Sequence, residues 1–198
     1  MLNEDYGTDI YVDKVEISVF GTVKLKDVLI KDHHKDTLIS ATSIKTNILS
    51  IKKLREGDLF FGDIYTDKLF FNLKNYKNEK ESNINVFVKL FETGKKATKP
   101  FQLTADNIFL NKSRFRITNE NSTNPVSVNF TKMNANARKF KIYGSDITAE
   151  IKRLSLQDHR GIFVKDLVAK FSYSKESMLL KELTVLTKES SLSLIHIS

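Results

Sequence analysis

The chain has 198 residues, 40% of them hydrophobic, and a formal net charge of +8 from 32 basic and 24 acidic side chains. That apolar content can build a sizeable core, which excludes global disorder, and seven glycines with two prolines exclude collagen-like or linker-like character. The absence of cysteine excludes a disulfide framework, a thiol nucleophile and cysteine-ligated metal.

Taken in chain order, Met1 to Tyr6 reads as the end of a helix, with Gly7 as a left-handed cap. From Ile10 to Ile44 the period drops to two. Val15, Ile17 and Val19 alternate with Glu16 and Ser18, and beyond Gly21 the apolar Val23 and Leu25 alternate with Lys24 and Lys26. Side chains on a strand point alternately to its two faces, so this pattern marks strands with one apolar face. Gly21, between two such runs, predicts a kink, bulge or tight corner. The polar cluster Lys31 to Asp36 predicts a turn before the next run begins at Leu38, and Ile44, Thr46 and Ile48 continue the first sheet. Lys52 to Asp58 is a charged turn. Strands are expected over Leu59 to Ile64 and Lys68 to Leu73, with Leu69, Phe71 and Leu73 on one face.

Ser82 to Glu92 breaks the pattern. Ile84, Phe87, Val88 and Phe91 fall on one face of a helix, with Ser82 or Asn83 to cap its start and Gly94 beyond its end. The alternation of Ile84, Val86 and Val88 fits a strand as well, and the helix is preferred. From Phe101 short runs resume at Leu103–Ala105, Ile108–Leu110 and Phe115–Ile117, with Arg114 and Arg116 opposite. Further runs follow at Val126–Phe130, Phe140–Ile142, Ile147–Ile151, Leu154–Leu156, Leu167–Tyr173 and Met178–Leu186, separated by turns at Asn119–Asn124 and Asp158–Gly161. VLIKDHH (from Val28) and LSLQDHR (from Leu154) form a weak internal echo. The total is about a dozen strands and two helices, an all-β chain.

Chemical motifs are scarce. The sequence has no Gly-rich phosphate loop, nucleophile elbow or H-E-x-x-H, and its acidic residues are scattered, so no enzyme is expected. His33 and His34, flanked by Asp32 and Asp36, could be imagined as a metal site; neighbours on a strand point apart, and a solvated turn is the preferred reading, with no metal and no cofactor. The positive charge fits anionic surroundings or simply a Lys- and Asn-rich composition. Its lysines are dispersed, without a basic arm, so no nucleic-acid partner is expected. No apolar stretch approaches the roughly 20 residues that span a bilayer, and no signal peptide is present.

The stretch YGTDIYVDKVEISVFGTVKLKDVLIKDHHKDTLISA, anchored by Tyr6-Gly7, Ser18-Val19-Phe20-Gly21, Asp32-His33-His34 and Thr37-Leu38-Ile39, resembles the start of the periplasmic part of the TamB group of the AsmA-like envelope family, in its Bacteroidota form. A weaker likeness continues through FGDIYTDKLFFNLKNYK to LKELTVLTKESS. The resemblance implies a mainly antiparallel curled sheet of the β-groove or β-taco type with one short amphipathic helix. It implies a bridge from inner to outer membrane that carries phospholipid, assists assembly of outer-membrane proteins, or both. The implied partners are phospholipid, a TamA-like outer-membrane barrel met by the rest of the full chain, and the inner membrane through an anchor preceding Met1. The implied localisation is the periplasm.

On this basis residues 1–191 are expected to form the N-terminal part of the groove domain. Leu192 to Ser198 (LSLIHIS) reads as a sequencing-adapter artefact rather than a native strand end, although Leu192 and Leu194 do alternate with Ser193 and Ile195. The expected groove lining is Ile17, Val19, Val23, Leu25, Ile44, Leu69, Phe71, Val128, Phe130, Ile147, Ala149, Leu167, Ala169 and Phe171. Glu16, Lys24, Lys45, Asn72, Asn129, Glu150 and Lys170 are expected on the opposite side. Ile84, Phe87, Val88 and Phe91 would pack the helix on the sheet or plug one groove end. The different-class alternative is a structural or adhesive β-solenoid or sandwich with a closed, dry core.

Overall fold

The computed structural model describes residues 9–19, 21–50, 52–53, 58–92, 100–174, 176–187 and 190–197. The expected helix end at Met1 to Tyr6, the cap at Gly7, Phe20 of the Gly21 corner, most of the charged turn after Lys53, and Gly94 lie outside them. Among the described residues the strands are β1 (Asp9–Ile17), β2 (Thr22–Lys31), β3 (Thr37–Ile48), β4 (Leu59–Asp67), β5 (Phe70–Asn75), β6 (Gln102–Asn119), β7 (Val126–Tyr143), β8 (Asp146–Asp158), β9 (Phe163–Tyr173), β10 (Met178–Thr187) and β11 (Ser191–Ile197). One helix, α1 (Asn83–Glu92), separates β5 from β6.

All strands belong to one curled sheet, ordered β1-β2-β3-β4-β6-β7-β8-β9-β10-β11. β5 continues the line of β4 along the same flank of β6 and also pairs with β3. The fold is therefore the expected all-β, mainly antiparallel curled sheet with one short helix. The pairing of β4 and β5 with β6 is parallel. Parallel neighbours require a crossover, and α1 lies within it.

Helix α1 forms where Ile84, Phe87 and Val88 share a face, with Lys89 in the last turn favourably placed against the helix dipole. Ser82 accepts the first helical bond through its carbonyl, from Val86 at 3.1 Å, but its hydroxyl has no partner. The start is instead fixed by Asn83, fully buried, whose amide donates to Asn72 O at 2.9 Å and Asp32 Oδ2 at 3.0 Å and accepts from Lys74 N at 2.9 Å.

The strands are longer than the period of two suggested. Leu103–Ala105, Ile108–Leu110 and Phe115–Ile117 are one strand, β6, and Val126–Phe130 joins Phe140–Ile142 in β7. Bulges explain the difference. At Asp27, Lys68, Lys112, Lys132, Lys139 and Glu182 the backbone adopts φ between 48° and 53°. Each is exposed, and each is the second of two residues between a pair that is not exposed: Leu25 and Val28, Thr66 and Leu69, Leu110 and Ser113, Phe130 and Met133, Ala137 and Phe140, Leu180 and Leu183. The extra residue restores the inward face that strict alternation would have lost. The ladder between β6 and β7 shifts register between Leu110 and Ser113 and again between Ser113 and Phe115, so the slip at Lys112 is undone at Lys132. Lys68, expected to start a strand, is instead the bulge between β4 and β5.

Bulges bend strands as well as re-aim side chains. From Leu103 to Phe115 a fully extended β6 would measure roughly 40 Å. Yet Tyr173, in the same cross-strand row as Leu103, packs against the same cluster as Ile39 and Phe71, which lie in the row of Phe115. The two ends of the strands therefore turn toward each other over α1.

The internal echo is a shared turn. In one copy Asp32 N donates to Asp36 O, Lys35 N to Asp32 O and His34 N to Asp32 Oδ1. In the other Asp158 N donates to Ile162 O, Gly161 N to Asp158 O and Arg160 N to Asp158 Oδ1. Lys35 and Gly161 both have positive φ. Gly21 is the left-handed residue of a third such turn, built on Ser18.

Candidate functional site

The ladders show which apolar side chains share a face. One row runs Ile17, Val23, Thr46, Ile64, Ile108, Ala137, Ile151, Ala169, through β1 to β9. Beside it lies Val15, Leu25, Ile44, Thr66, Leu110, Ala135, Leu154. Toward one strand end a third row holds Leu59, Leu103, Ile142, Ile147, Tyr173 and Met178. Toward the other, beyond the bulges, a fourth holds Ile10, Ile30, Ile39, Phe71, Phe115 and Phe130. These rows make an apolar trough lying across the strands.

Among the described residues, helix α1 is the element packed over it. The buried core cluster is Leu38, Leu73, Ile84 and Val88, with Phe87, Phe101 and Tyr173 packed around it. Ile44, Ile64, Ile108, Leu110, Ala137, Ile151 and Leu154 are only half-buried.

Of the expected lining residues, Ile17, Val23, Leu25, Ile44, Phe71, Phe130, Ile147 and Ala169 fall in these rows, and Val128, Ala149, Leu167 and Phe171 lie in rows beside them. Ile17 pairs with Val23, Leu25 with Ile44, and Phe71 connects through Phe115 to Phe130. Val128 pairs with Ile117, Ala149 with Phe171 and Ile151 with Ala169. Leu167 pairs with Val185. Two corrections are needed. Val19 lies outside any strand, in the β1–β2 turn, and is 94% exposed; Leu69 lies outside any strand, just past the Lys68 bulge. Ile17, on the edge strand, is 71% exposed. Of the helix residues, Ile84 and Val88 are buried and Phe87 packs against them, while the side chain of Phe91 lies outside the described residues.

The expected outward residues line up too. Glu16, Lys24 and Lys45 form one row, Asn72 and Asn129 flank Arg116 in another, and Glu150 pairs with Lys170. Glu150 is held at a pKa of about 2 by hydrogen bonds from Lys139 and Arg138, at 2.7 and 2.6 Å. The sequence reading missed Ile64, Ile108, Ala137, Ile151 and Phe115 as lining residues. Their alternation was visible, but the bulges that bring them into register were not.

In the turn at Asp32–Asp36, His33, His34, Lys35 and Asp36 are exposed, in keeping with the solvated reading, and Asp32 is the exception. Asp32 is buried and accepts the Tyr76 hydroxyl at 2.7 Å and the Asn83 amide. His33 and His34 converge, because they sit in a turn rather than on a strand, and both meet Glu79 from the β5–α1 loop.

Fold and site together define an all-β protein built as one curled sheet with apolar rows on one face and, among the described residues, a helix packed on that face. Comparison with protein-family models finds no match, and comparison with curated proteins finds none either.

Proposed function

We propose that the chain is part of a TamB/AsmA-like envelope protein whose trough shields lipid acyl chains, for phospholipid transport to the outer membrane, for protein assembly there, or for both. The observation that carries this reading is the set of apolar rows crossing up to eight strands, over which the described residues place one ten-residue helix, packed on Leu38 and Leu73 through Ile84 and Val88. An exposed apolar face that continuous calls for an occupant. An acyl chain suits a long trough, gaining about 0.8 kcal/mol per buried methylene.

The mechanism is passive and non-enzymatic: apolar rows receive the acyl chains and the headgroups stay in water. The sequence resemblance supports the setting, namely a periplasmic protein held in the inner membrane by an anchor and meeting a TamA-like barrel in the outer membrane.

Native mass spectrometry after gentle purification tests for retained phospholipid, and photoreactive residues at Ile108 and Ile147 test where it lies. Lipid crosslinks at both positions, reduced by Ile108→Asp or Ile147→Asp with little change in thermal unfolding, are the expected result. Severe unfolding of both variants, with no crosslink in the parent, would overturn the proposal in favour of a structural protein with a dry core.

A further inference from the structure

At the strand end that carries the β2–β3 turn, three donor groups meet. His33 Nε2 lies 2.9 Å from Glu79 Oε2, and His34 Nε2 lies 2.6 Å from Glu79 Oε1. The ligand atoms of the three residues all lie within 4.8 Å of one another. We propose that His33, His34 and Glu79 form a zinc site that clamps the β2–β3 turn to the loop leading into α1.

The chemistry of the donors selects the ion. Two imidazole nitrogens and one carboxylate suit Zn²⁺ and its transition-metal neighbours, whereas Mg²⁺ and Ca²⁺ favour all-oxygen sites. Zinc binds nitrogen and oxygen ligands at about 2.0–2.2 Å, and donors this close reach one centre by side-chain rotation. Three protein ligands leave a fourth position for water. On binding, any Nε2 proton leaves that nitrogen, and a neutral imidazole keeps its remaining proton on Nδ1.

Preorganisation argues against a chance encounter of surface side chains. Tyr76 holds both halves of the site. Its hydroxyl fixes the turn through Asp32 and Asp36, at 2.7 and 2.9 Å, and its ring packs 3.8 Å from that of His34 and 5.5 Å from that of His33, centre to centre. On the other half, Glu79 N donates to Tyr76 O at 3.1 Å, and Asn121 Nδ2 donates to Tyr76 O and Glu79 O at 3.0 and 3.2 Å. Asp32 Oδ1 accepts from His34 N and Asp36 N, which sets the backbone from which both imidazoles project. Backbone hydrogen bonds and the packing of the Tyr76 ring therefore hold the two segments that carry the three donors.

The test is calorimetric titration of the chain with ZnCl₂ alone, with MgCl₂ and CaCl₂ as controls, followed by thermal unfolding with and without zinc. Expected are one zinc per chain, a rise in Tm with zinc, and no response to magnesium or calcium. Glu79→Gln and the double variant His33→Gln/His34→Gln, each checked for native circular dichroism, should weaken binding at least tenfold and abolish the Tm rise. His159→Gln should leave both unchanged. Absence of stoichiometric zinc binding, or equal affinity in folded Glu79→Gln, would overturn the site; binding without a Tm rise would overturn the clamp.

Discussion

The Tyr76 hydroxyl donates to Asp32 Oδ2 at 2.7 Å across 44 positions of sequence, joining the loop before α1 to the β2–β3 turn. Burial first, then the hydrogen bonds to Asp32 and Asp36, push the Tyr76 pKa well above that of an ordinary phenol, so the group stays a donor at any physiological pH. Tyr76→Phe should cost about 1–3 kcal/mol, because it removes one of the hydrogen bonds to the buried, charged Asp32 carboxylate. Urea unfolding measures this, and a midpoint equal to that of the parent would remove the anchoring role.

Stability should be concentrated around α1. Leu38 is fully buried in the cluster with Leu73, Ile84 and Val88, so Leu38→Ala should cost about 2–5 kcal/mol. Val19, 94% exposed, should tolerate Val19→Ala within about 0.5 kcal/mol. Similar losses at the two positions would show that the fold does not depend on this cluster.

The bulges predict an inversion of the usual substitution rules. Lys112 has φ 48° and Lys139 φ 52°, a region costing an L-residue about 1–2 kcal/mol. Glycine pays no such steric cost, so Lys112→Gly should be neutral or stabilising, although it stands within a strand. Lys139→Val should destabilise by about 1–2 kcal/mol, because a β-branched side chain resists this conformation more strongly. The same Val change at Lys141, which has no positive φ, should be close to neutral. Equal effects at Lys139 and Lys141 would contradict the bulge assignment.

Acid should act partly through the Asp158 turn. Hydrogen bonds from the Arg160 guanidinium, at 2.9 Å from Nε and 3.1 Å from Nη2, and from its backbone N–H at 2.7 Å hold the Asp158 pKa at about 2, below its ordinary value of 3.8. A depressed carboxylate contributes stability that is fully present above the unfolded pKa and lost as pH falls through the folded one. The contribution should therefore fade between about pH 4 and pH 2. Thermal unfolding of Arg160→Met across that window should fall less steeply than the parent, and parallel curves would exclude the effect.

Helix α1 was legible because a helix gathers Ile84, Phe87 and Val88 on one face, whereas the strand alternative of Ile84, Val86 and Val88 would turn Phe87 to the other side. The turns at Asp32 and Asp158 were legible from their polar residues. The lengths of β6 and β7 were not, because a bulge at Lys112 or Lys139 looks in sequence like the end of one strand and the start of another. Nor was the meeting of Glu79 with His33 and His34. Glu79 sits in a polar loop whose composition says only that it is exposed, and its position depends on Tyr76 and Asn121, placed by the fold. The likeness of the three turns lies in backbone hydrogen bonds, so Ser18 gave no sign of sharing the Asp32 pattern.

The parallel pairing of β5 with β6 has a mechanical consequence. A chain that leaves one strand and returns to run beside it in the same direction must travel back across a face of the sheet, and here it carries α1 over the apolar side. The helix is thus a crossbar built into the connectivity, tied at its first residue by Asn83 to Asp32 and Asn72. Under the proposed function, cargo moving lengthwise would have to pass beneath the bar or stop at it, and anything that loosens that tie would change the clearance without altering a single side chain of the trough.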